Sequence, residues 1–254
     1  MEKYFKTLFI LISIGFITNS CSKNSEPKIT CIENYRAKWD YSKNKGPNNW
    51  FGLSDKYSLC KQGQHQSPIN IIVNRTPIIK DLQLDYKSCI FDSIDNEHTV
   101  EFDYSPGSIL ELAEKRYELK QFHFHSPSEH TIDDQRYDME IHFVHKSLTG
   151  KDLAVVALLV KSGEGNSLIQ KLWAHLPAEK NKQYVFDKEY INAVELFPAN
   201  LEAYFYHGSL TTPPCSETVS WLILKEPIEM SQAQIDYFHK FYNWNIRNLQ
   251  SSKS

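Results

Sequence analysis

Leu119-Lys-Gln-Phe-His-Phe-His125 alternates apolar with polar or imidazole side chains, which is the period of a β-strand. Side chains two residues apart on a strand point to the same face, so His123 and His125 project together. Phe122 and Phe124 then project to the opposite face, where they can join a core. This stretch therefore predicts a strand with an apolar back and two imidazoles on its front.

A second alternating segment, Met139-Glu-Ile-His-Phe-Val-His145, carries His142 on one of its faces. The turn residues Asp133-Asp-Gln135 predict a hairpin that folds this segment back antiparallel to the first. Three histidines with an open fourth position form a catalytic zinc site, and each histidine needs its second ring nitrogen held. By parity, Gln121 and Glu140 lie on the faces that carry the histidines. On the pattern alone, core histidines without a metal stay open as the alternative.

Further strands are predicted on both sides of these segments. Thr99–Tyr104 alternates, and Val219–Leu224 is rich in strand-forming residues. Leu153–Val160 is a continuous apolar run, which is typical of a strand buried on both faces. The chain is thus predicted to be dominated by β-structure.

Helical signals are few and short. Ser167 precedes Leu168–Trp173 as a predicted N-cap, and Ser231 with Gln234 predicts a capped helix at Gln232–Tyr242. We expect a predominantly β (α+β) fold, one domain with short peripheral helices.

The composition is that of an ordinary globular chain. Of 254 residues, 41% are hydrophobic and 23% are charged, which allows one domain with a sizeable core. Aromatic residues make up 13% of the chain and favour strands. The net charge of −3 argues against a nucleic-acid partner, which would show as a basic excess.

The N-terminal residues carry signals of export. Lys3 and Lys6 flank the start of an apolar run, Leu8–Ile17, which has the length of a signal-peptide core and is too short to span a bilayer. Cys21 follows in a context that resembles a bacterial lipoprotein junction. Two interpretations stay open: Cys21 is the lipidated first residue of the mature protein, or cleavage occurs near Ser20 and Cys21 is incidental.

We accordingly divide the chain into a signal peptide (1–20), a polar tether (21–34) and a single domain (35–254). The expected location is the bacterial periplasm or cell envelope, with membrane contact only through a lipid anchor at Cys21. In such a compartment, five cysteines favour disulfides over a thiolate metal site. If Cys21 is lipidated, an even number remains, and the sequence alone does not pair them: Cys31, Cys60, Cys89 and Cys215.

Four blocks of sequence resemble one known family. Gln121-Phe-His-Phe-His-Ser-Pro-Ser-Glu-His130 is similar to the zinc-binding signature of alpha-class carbonic anhydrases in its bacterial, exported form. The other blocks resemble that family in the same order along the chain: Trp39-Asp-Tyr41 with Gly46, Pro47 and Trp50; Gln66-Ser-Pro-Ile-Asn70; and Gly208-Ser-Leu-Thr-Thr-Pro-Pro214 with Cys215-Ser-Glu217 and Trp221. The resemblance implies a large central, mainly antiparallel twisted sheet and the reversible hydration of carbon dioxide to bicarbonate and a proton.

The resemblance also implies the roles of the matched residues. His123, His125 and His142 would bind Zn²⁺, the expected cofactor, with Gln121 and Glu140 as their outer partners. Thr211 would accept a hydrogen bond from a zinc-bound hydroxide and donate its own hydroxyl proton to Glu129. Further implied roles are Thr212 beside bicarbonate, an apolar wall for CO₂ (Val144, Val155, Leu210 and Trp221), and structural hydrogen bonds at His130 and His145.

Proton transfer and cysteine pairing complete the implied picture. His98 would be the proton shuttle with a pKa near neutrality, and Tyr41 would order the connecting waters. Glu101 stands where the family usually has an amide, and a carboxylate there is expected to repel bicarbonate or disturb the proton path. Cys60 and Cys215 would form a disulfide, which leaves Cys31 and Cys89 as a second candidate pair.

Two other functions stay open from the sequence. One is a non-catalytic binding domain on the same fold, and the other is a zinc hydrolase that acts on esters, which could also be a secondary activity. The expected partners are the small molecules CO₂ and bicarbonate, and the expected assembly is a monomer or homodimer.

Overall fold

The computed structural model describes residues 28–31 and 39–251. The predicted signal peptide and Cys21 lie outside the described residues. The strands are β1 (Lys28–Cys31), β2 (Asn70–Ile71), β3 (Ile78–Ile79), β4 (Gln83–Asp85), β5 (Cys89–Asp95), β6 (Val100–Tyr104), β7 (Ile109–Leu112), β8 (Lys115–His125), β9 (Thr131–Ile132), β10 (Gln135–Arg136), β11 (Met139–Ser147), β12 (Leu153–Ser162), β13 (Lys182–Ile191), β14 (Ala203–Gly208), β15 (Val219–Leu224) and β16 (Ile228–Met230). The α-helices are α1 (Trp50–Leu53), α2 (Leu59–Gln62), α3 (Ser167–Trp173) and α4 (Gln232–His239), with 3₁₀ turns at Asp55–Tyr57 and Ala193–Leu196.

One large sheet organises the described part of the chain. Its thirteen strands run mainly in the order β1-β13-β5-β6-β8-β11-β12-β15-β14-β3, with β7, β4 and β16 attached to its sides. The pairs β12–β15 and β12–β16 are parallel, and the other pairs of this sheet are antiparallel. The predominantly β fold class with a mainly antiparallel sheet is confirmed.

The two histidine-bearing segments form adjacent strands near the middle of this sheet. β8 and β11 pair antiparallel with His142 directly opposite His123. Their connection contains the small hairpin β9–β10, whose turn residues Asp133 and Asp134 take left-handed φ values of 44° and 67°. The predicted hairpin turn is confirmed, and it sets the register that brings the imidazoles together.

A row of stacked phenylalanines lies on the back of the two histidine-bearing strands. Phe102, Phe122 and Phe143 occupy opposite positions on β6, β8 and β11 and are fully buried. The ring centroids of Phe102 and Phe122 are 5.3 Å apart, and those of Phe122 and Phe143 are 5.2 Å apart. Such aromatic pairs each add roughly 0.5–1.5 kcal/mol beyond burial of their area. The row stiffens the sheet directly behind the histidines.

The predicted strands and helices are found with shifted ends. β8, β11 and β12 are longer than predicted, whereas β15 has the predicted bounds. α3 is capped by Asn166 and not by Ser167, because the Asn166 side chain accepts the Ile169 N–H at 3.0 Å. Asn and Ser are equally good caps, so the pattern did not distinguish them. α4 has the predicted Ser231–Gln234 capping box but ends at His239.

No helix in the described ranges has the length and hydropathy to cross a bilayer.

The two cysteines suggested as a second disulfide, Cys31 and Cys89, pair with opposite ends of strand β13. Cys31 pairs with Lys182 at one end of β13, whereas Cys89 pairs with Ile191 at the other end. Cys89 lies five residues along β5 from Ile94, which pairs with Gln183 next to Lys182, so at about 3.3 Å per residue the two cysteines are roughly 17 Å or more apart. A disulfide requires Cα atoms within about 7 Å. The suggested Cys31–Cys89 bridge is therefore wrong, and Cys89 is free.

Candidate metal centre

Three imidazoles converge on the front of the sheet. His123 and His125 come from β8 and His142 from β11, and their ring centroids lie between 4.5 and 5.3 Å apart. One ring nitrogen from each residue can be chosen so that all three lie within 4.8 Å of one another. The parity and the hairpin that the sequence indicated account for this convergence.

The opposite nitrogen of each ring is hydrogen-bonded. His123 Nδ1–H donates to Gln121 Oε1 at 2.8 Å, and His142 Nε2–H donates to Glu140 Oε1 at 2.7 Å. Both partners were predicted by strand parity. The nitrogens that remain are Nε2 of His123 and Nδ1 of His142, so each partner fixes the tautomer that offers a lone pair to the centre.

His125 is held by a partner that the sequence did not reveal. Its Nδ1–H donates to the main-chain carbonyl of Asn245 at 2.7 Å, far along the chain. The Asn245 side chain also accepts the Ser126 N–H and donates to the Phe124 carbonyl. A main-chain carbonyl can belong to any residue type, so the sequence gave no signal that Asn245 would be the acceptor. Asn245 thus holds the outer nitrogen of the third histidine, His125.

The donor set fits a zinc ion. His125 Nε2 is buried and makes no hydrogen bond to the described residues, which is unfavourable for a polar atom unless a ligand occupies the centre. Burial, followed by the charges of neighbouring histidines, holds the pKa of His123 well below its usual value. Burial also lowers the pKa of His125. Both imidazoles are therefore neutral at pH 7, the state in which histidine binds metals.

Glu140 connects the centre to a buried hydrogen-bond network. Burial opposes its ionisation, yet His130 and His142 hold the pKa of the Glu140 carboxyl well below its usual value. Glu140 accepts from His130 through both oxygens, and the other His130 nitrogen lies 2.6 Å from the Tyr206 hydroxyl. His145 lies 2.5 Å from the Tyr86 hydroxyl. The predicted structural hydrogen bonds of His130 and His145 are present.

A cavity of about 270 Å³ opens onto two of the three histidines. Several predicted site residues line it: Tyr41, His98, Glu101, Gln121, His123, His125 and Thr212, together with Trp39, Asn96, Thr99 and Pro213. The lining combines aromatic rings with amide, carboxyl, hydroxyl and imidazole groups, and it includes two of the three converging histidines.

His98 lies inside this cavity, stacked on Trp39. The two ring centroids are 3.5 Å apart with an interplanar angle of 3°, and His98 is buried. Burial lowers the pKa of His98 to about 4, mainly through loss of solvent. This pKa is lower than the near-neutral value expected of a proton shuttle, because the stacked ring is buried. The sequence gave no sign that the ring would stack inward.

Glu129 lies beside His125 and lacks the expected hydrogen bond from Thr211. Glu129 is fully buried, and its Oε1 accepts the Arg247 N–H at 2.7 Å. Its Oε2 lies 3.7 Å from His125 Nε2 and accepts no hydrogen bond from the described residues. The hydrogen bond from Thr211 to Glu129 is therefore not formed here, and Glu129 Oε2 is available for a donor.

The four predicted wall residues lie together. Val144, Val155 and Trp221 occupy successive register positions across β11, β12 and β15, and Leu210 packs against the same cluster. The Trp221 ring lies 4.9 Å from that of His142. This apolar surface therefore begins beside one of the three converging histidines.

Glu101, which stands where the family usually has an amide, lines the cavity. Burial first, and then Asp103, raise the pKa of Glu101 to about 8. The carboxyl is therefore mostly protonated at neutral pH, which weakens the repulsion of bicarbonate that its position had led us to expect.

The disulfide between Cys60 and Cys215 is confirmed. It joins α2 to the loop that carries Thr211 and Thr212, and Cys215 N–H donates to the Thr212 carbonyl at 2.8 Å. At the start of this loop, a Cβ on Gly208 would lie 2.3 Å from Ser67 Oγ, so no larger residue fits without a shift. The loop beside the centre is thus tightly anchored.

Three converging imidazoles, two of which line a polar cavity, form a cluster on a large mixed sheet that could hold a metal ion with a position left open for a reactant. Comparisons with known proteins are specific. The family described as eukaryotic-type carbonic anhydrase matches residues 45–252. Carbonic anhydrase of Pectobacterium carotovorum is 40% identical over 214 residues, which cover 84% of this chain and 86% of that protein.

Further relatives agree. Carbonic anhydrase of Nostoc sp. is 38% identical over 217 residues, 84% of this chain and 82% of that protein. The structure of alpha-carbonic anhydrase from Thermovibrio ammonificans, in complex with the inhibitor sulfanilamide, matches with a TM-score of 0.80 at 37% identity, over 85% of this chain and 96% of that one. The chain belongs to the eukaryotic-type, or alpha, carbonic anhydrase family, as the resemblance predicted. As a member it is a lyase whose small-molecule substrates are carbon dioxide and bicarbonate.

Proposed function

We propose that the protein hydrates carbon dioxide at a zinc ion held by His123, His125 and His142. The observation that carries the proposal is the set of three imidazoles whose outer nitrogens are all hydrogen-bonded and whose inner nitrogens converge. When bound there, zinc would supply a nucleophile at neutral pH by lowering the pKa of a water molecule, an effect best known from this family itself.

The chain's own residues would position that nucleophile and the substrate. The unsatisfied Glu129 Oε2, beside His125, supports a role as acceptor for the Thr211 hydroxyl once the cavity holds its reactants. A threonine that donates to Glu129 must accept from the attacking water, and this directs one lone pair of the water. The wall that includes Trp221 would hold CO₂, which has little capacity for hydrogen bonds, and Thr212 would contact bicarbonate.

Proton release would use His98, with Tyr41 ordering the water between. In its stacked position His98 is too weak a base to take a proton at neutral pH, since its pKa is about 4. The ring would therefore have to leave Trp39 and reach solvent, where its pKa returns towards 6.5. His98 lines the cavity, so the proposed movement would begin at the cavity wall.

The alternatives are less well supported. A binding domain without catalysis would not need all three ligands, their outer partners and an open cavity. The cavity of about 270 Å³ has room for a molecule larger than CO₂, so it admits a small ester, but its volume alone does not favour one. Ester hydrolysis is therefore proposed only as a secondary activity.

We also propose that the protein is exported to the periplasm or cell envelope, as a monomer or homodimer. The disulfide of Cys60 with Cys215 supports export, because disulfides persist in oxidising compartments. Lipidation at Cys21 remains the proposed route to membrane attachment, and mass spectrometry of the mature N-terminus tests it.

Zinc content and CO₂ hydration of His125→Ala test the proposed centre. We expect loss of both, whereas His65→Ala, an exposed histidine away from the centre, should retain both. Full zinc content with unchanged hydration in His125→Ala would refute the site. Ester hydrolysis that exceeds hydration of CO₂ in the parent protein would favour the esterase alternative.

A further inference from the structure

Glu101 accepts hydrogen bonds from two side-chain amides, one that contacts His123 and one in the turn that carries His98. Its Oε2 accepts from Gln121 Nε2 at 3.2 Å and from Asn96 Nδ2 at 3.3 Å. It also makes a side-chain hydrogen bond with Asp103. Glu101 stands opposite His123 in the pairing of β6 with β8, so the carboxyl lies beside the ligand strand. One oxygen atom therefore determines how two neighbouring amides are turned.

The orientation of Gln121 decides which nitrogen His123 offers. With Nε2 turned towards Glu101, Gln121 presents Oε1 to His123 and accepts its Nδ1–H at 2.8 Å. If the amide flipped, its NH₂ would face Nδ1, and His123 would be stable only with its proton on Nε2. A proton on Nε2 removes the lone pair that the metal needs. The orientation thus selects a ligand or a non-ligand tautomer.

The second amide acts on the turn that carries His98. Asn96 Oδ1 accepts the N–H groups of His98 at 3.1 Å and Thr99 at 3.0 Å. Asn96 can present this oxygen to the turn because its Nδ2 is directed to Glu101. The same carboxyl oxygen therefore stabilises the turn between β5 and β6.

We propose that Glu101 is a positioning residue that orients Gln121 and Asn96, and so sets the tautomer of His123 and the conformation of the 96–99 turn. The role needs an acceptor at Oε2, which either protonation state of the carboxyl provides. A glutamine at this position keeps a carbonyl acceptor, and a leucine of similar size does not. The inference rests on the proposed zinc centre for its consequence, but the tautomer is set without the metal.

The test compares Glu101→Leu with Glu101→Gln in metal-free protein labelled with ¹⁵N-histidine. Long-range ¹H–¹⁵N correlation spectra report which ring nitrogen of His123 carries the proton. We expect Nδ1–H in the parent and in Glu101→Gln, and a mixture or Nε2–H in Glu101→Leu. Amide hydrogen exchange at His98 and Thr99 should accelerate in Glu101→Leu and be restored in Glu101→Gln.

Zinc affinity, measured by competition with a chelator, gives the consequence at the centre. Loss of an outer partner usually weakens metal binding by about 10- to 100-fold, and we expect this for Glu101→Leu. Glu101→Gln should bind zinc nearly as tightly as the parent. Glu111→Leu is the matched control, since Glu111 is an exposed strand residue on β7 paired with Arg116.

A merely structural role would give a different pattern. A Glu101→Leu protein that melts earlier but keeps the Nδ1–H tautomer and parental zinc affinity would overturn the proposal. Glu101→Ala, which removes the carboxyl without adding bulk, replaces Glu101→Leu if the leucine variant does not fold. If the parent itself bound no zinc, the proposed function would fail, while the tautomer spectra would still decide the role of Glu101.

Discussion

At the scale of single residues, the three histidines proposed to bind zinc are not equivalent. His123 and His125 offer Nε2, whereas His142 offers Nδ1, because Glu140 holds its other nitrogen. The identity of the outer partner and its side of the ring therefore decide where each lone pair lies. Substitutions at the centre should follow this difference.

Replacing a histidine by asparagine or glutamine tests which ring nitrogen that histidine offers to the metal. The amide oxygen of asparagine lies about where Nδ1 of histidine lies, and that of glutamine lies about where Nε2 lies. We expect His142→Asn to bind zinc more tightly than His142→Gln, and His125→Gln more tightly than His125→Asn, by about tenfold, or 1.4 kcal/mol, in each pair. Chelator competition measures the four dissociation constants. The same preference for one amide at both positions would contradict the assignment of nitrogens.

The proposed role of His98 in proton transfer predicts how its removal changes turnover in weak and in concentrated buffer. His98→Ala should lower the maximal rate in weak buffer by more than about tenfold, since it removes a proton carrier. Concentrated imidazole should restore most of the rate, because a small base replaces the missing one. Stopped-flow hydration in the two buffers measures the effect. If the variant matches the parent in both buffers, His98 takes no part in proton transfer.

At the scale of elements, the disulfide connects α2 with the loop that carries Thr211. Closing a loop of 155 residues restricts the unfolded chain by roughly 4–5 kcal/mol in the entropy model. The paired substitution Cys60→Ala with Cys215→Ala should therefore lower the melting temperature by roughly 10–15 °C. Because the loop lies at the site, turnover below the melting range should also fall.

The matched control is Cys89→Ala, which removes a free and half-buried thiol. Its melting temperature should stay close to that of the parent, with full hydration activity. A double variant that keeps parental activity well below its melting temperature would show that the bridge stabilises the fold without positioning the loop.

Strands were more predictable from the sequence than the contacts between distant segments. Alternation gave the faces of β8 and β11, and parity gave Gln121 and Glu140 as partners, because side-chain direction is a local property. Asn245 was missed because its carbonyl meets His125 only after the chain has closed around the sheet. The inward stack of His98 on Trp39 was missed for the same reason. The second cysteine pair failed because register, which separates Cys31 from Cys89, is not visible in a count of cysteines.

At the scale of the whole molecule, buried titratable groups tie folding to pH. Burial lowers the pKa of His145 to about 4, so the folded protein keeps this ring neutral while the unfolded chain protonates it near 6.5. Stability from His145 is fully present above about pH 6.5 and is lost as the pH falls towards 4. His98 acts in the same direction, whereas Glu101, whose pKa is raised to about 8, acts in the opposite one.

A single variant isolates this contribution. Between pH 7 and pH 5, the metal-free parent should lose about 2 kcal/mol more unfolding free energy than His145→Gln, which does not titrate. Urea denaturation at the two pH values measures the difference. Equal losses in both proteins would mean that His145 is not held neutral by its burial.

Zinc bound by His123, His125 and His142 is proposed to be essential for CO₂ hydration by this member of the carbonic anhydrase family. Stopped-flow CO₂ hydration of one preparation before zinc removal, after removal and after reloading measures this requirement. We expect activity to disappear with the metal and to return with one zinc per chain, and we expect no return in His125→Ala. Undiminished hydration by the metal-free protein, or none by the protein with one zinc bound, would refute the requirement for zinc.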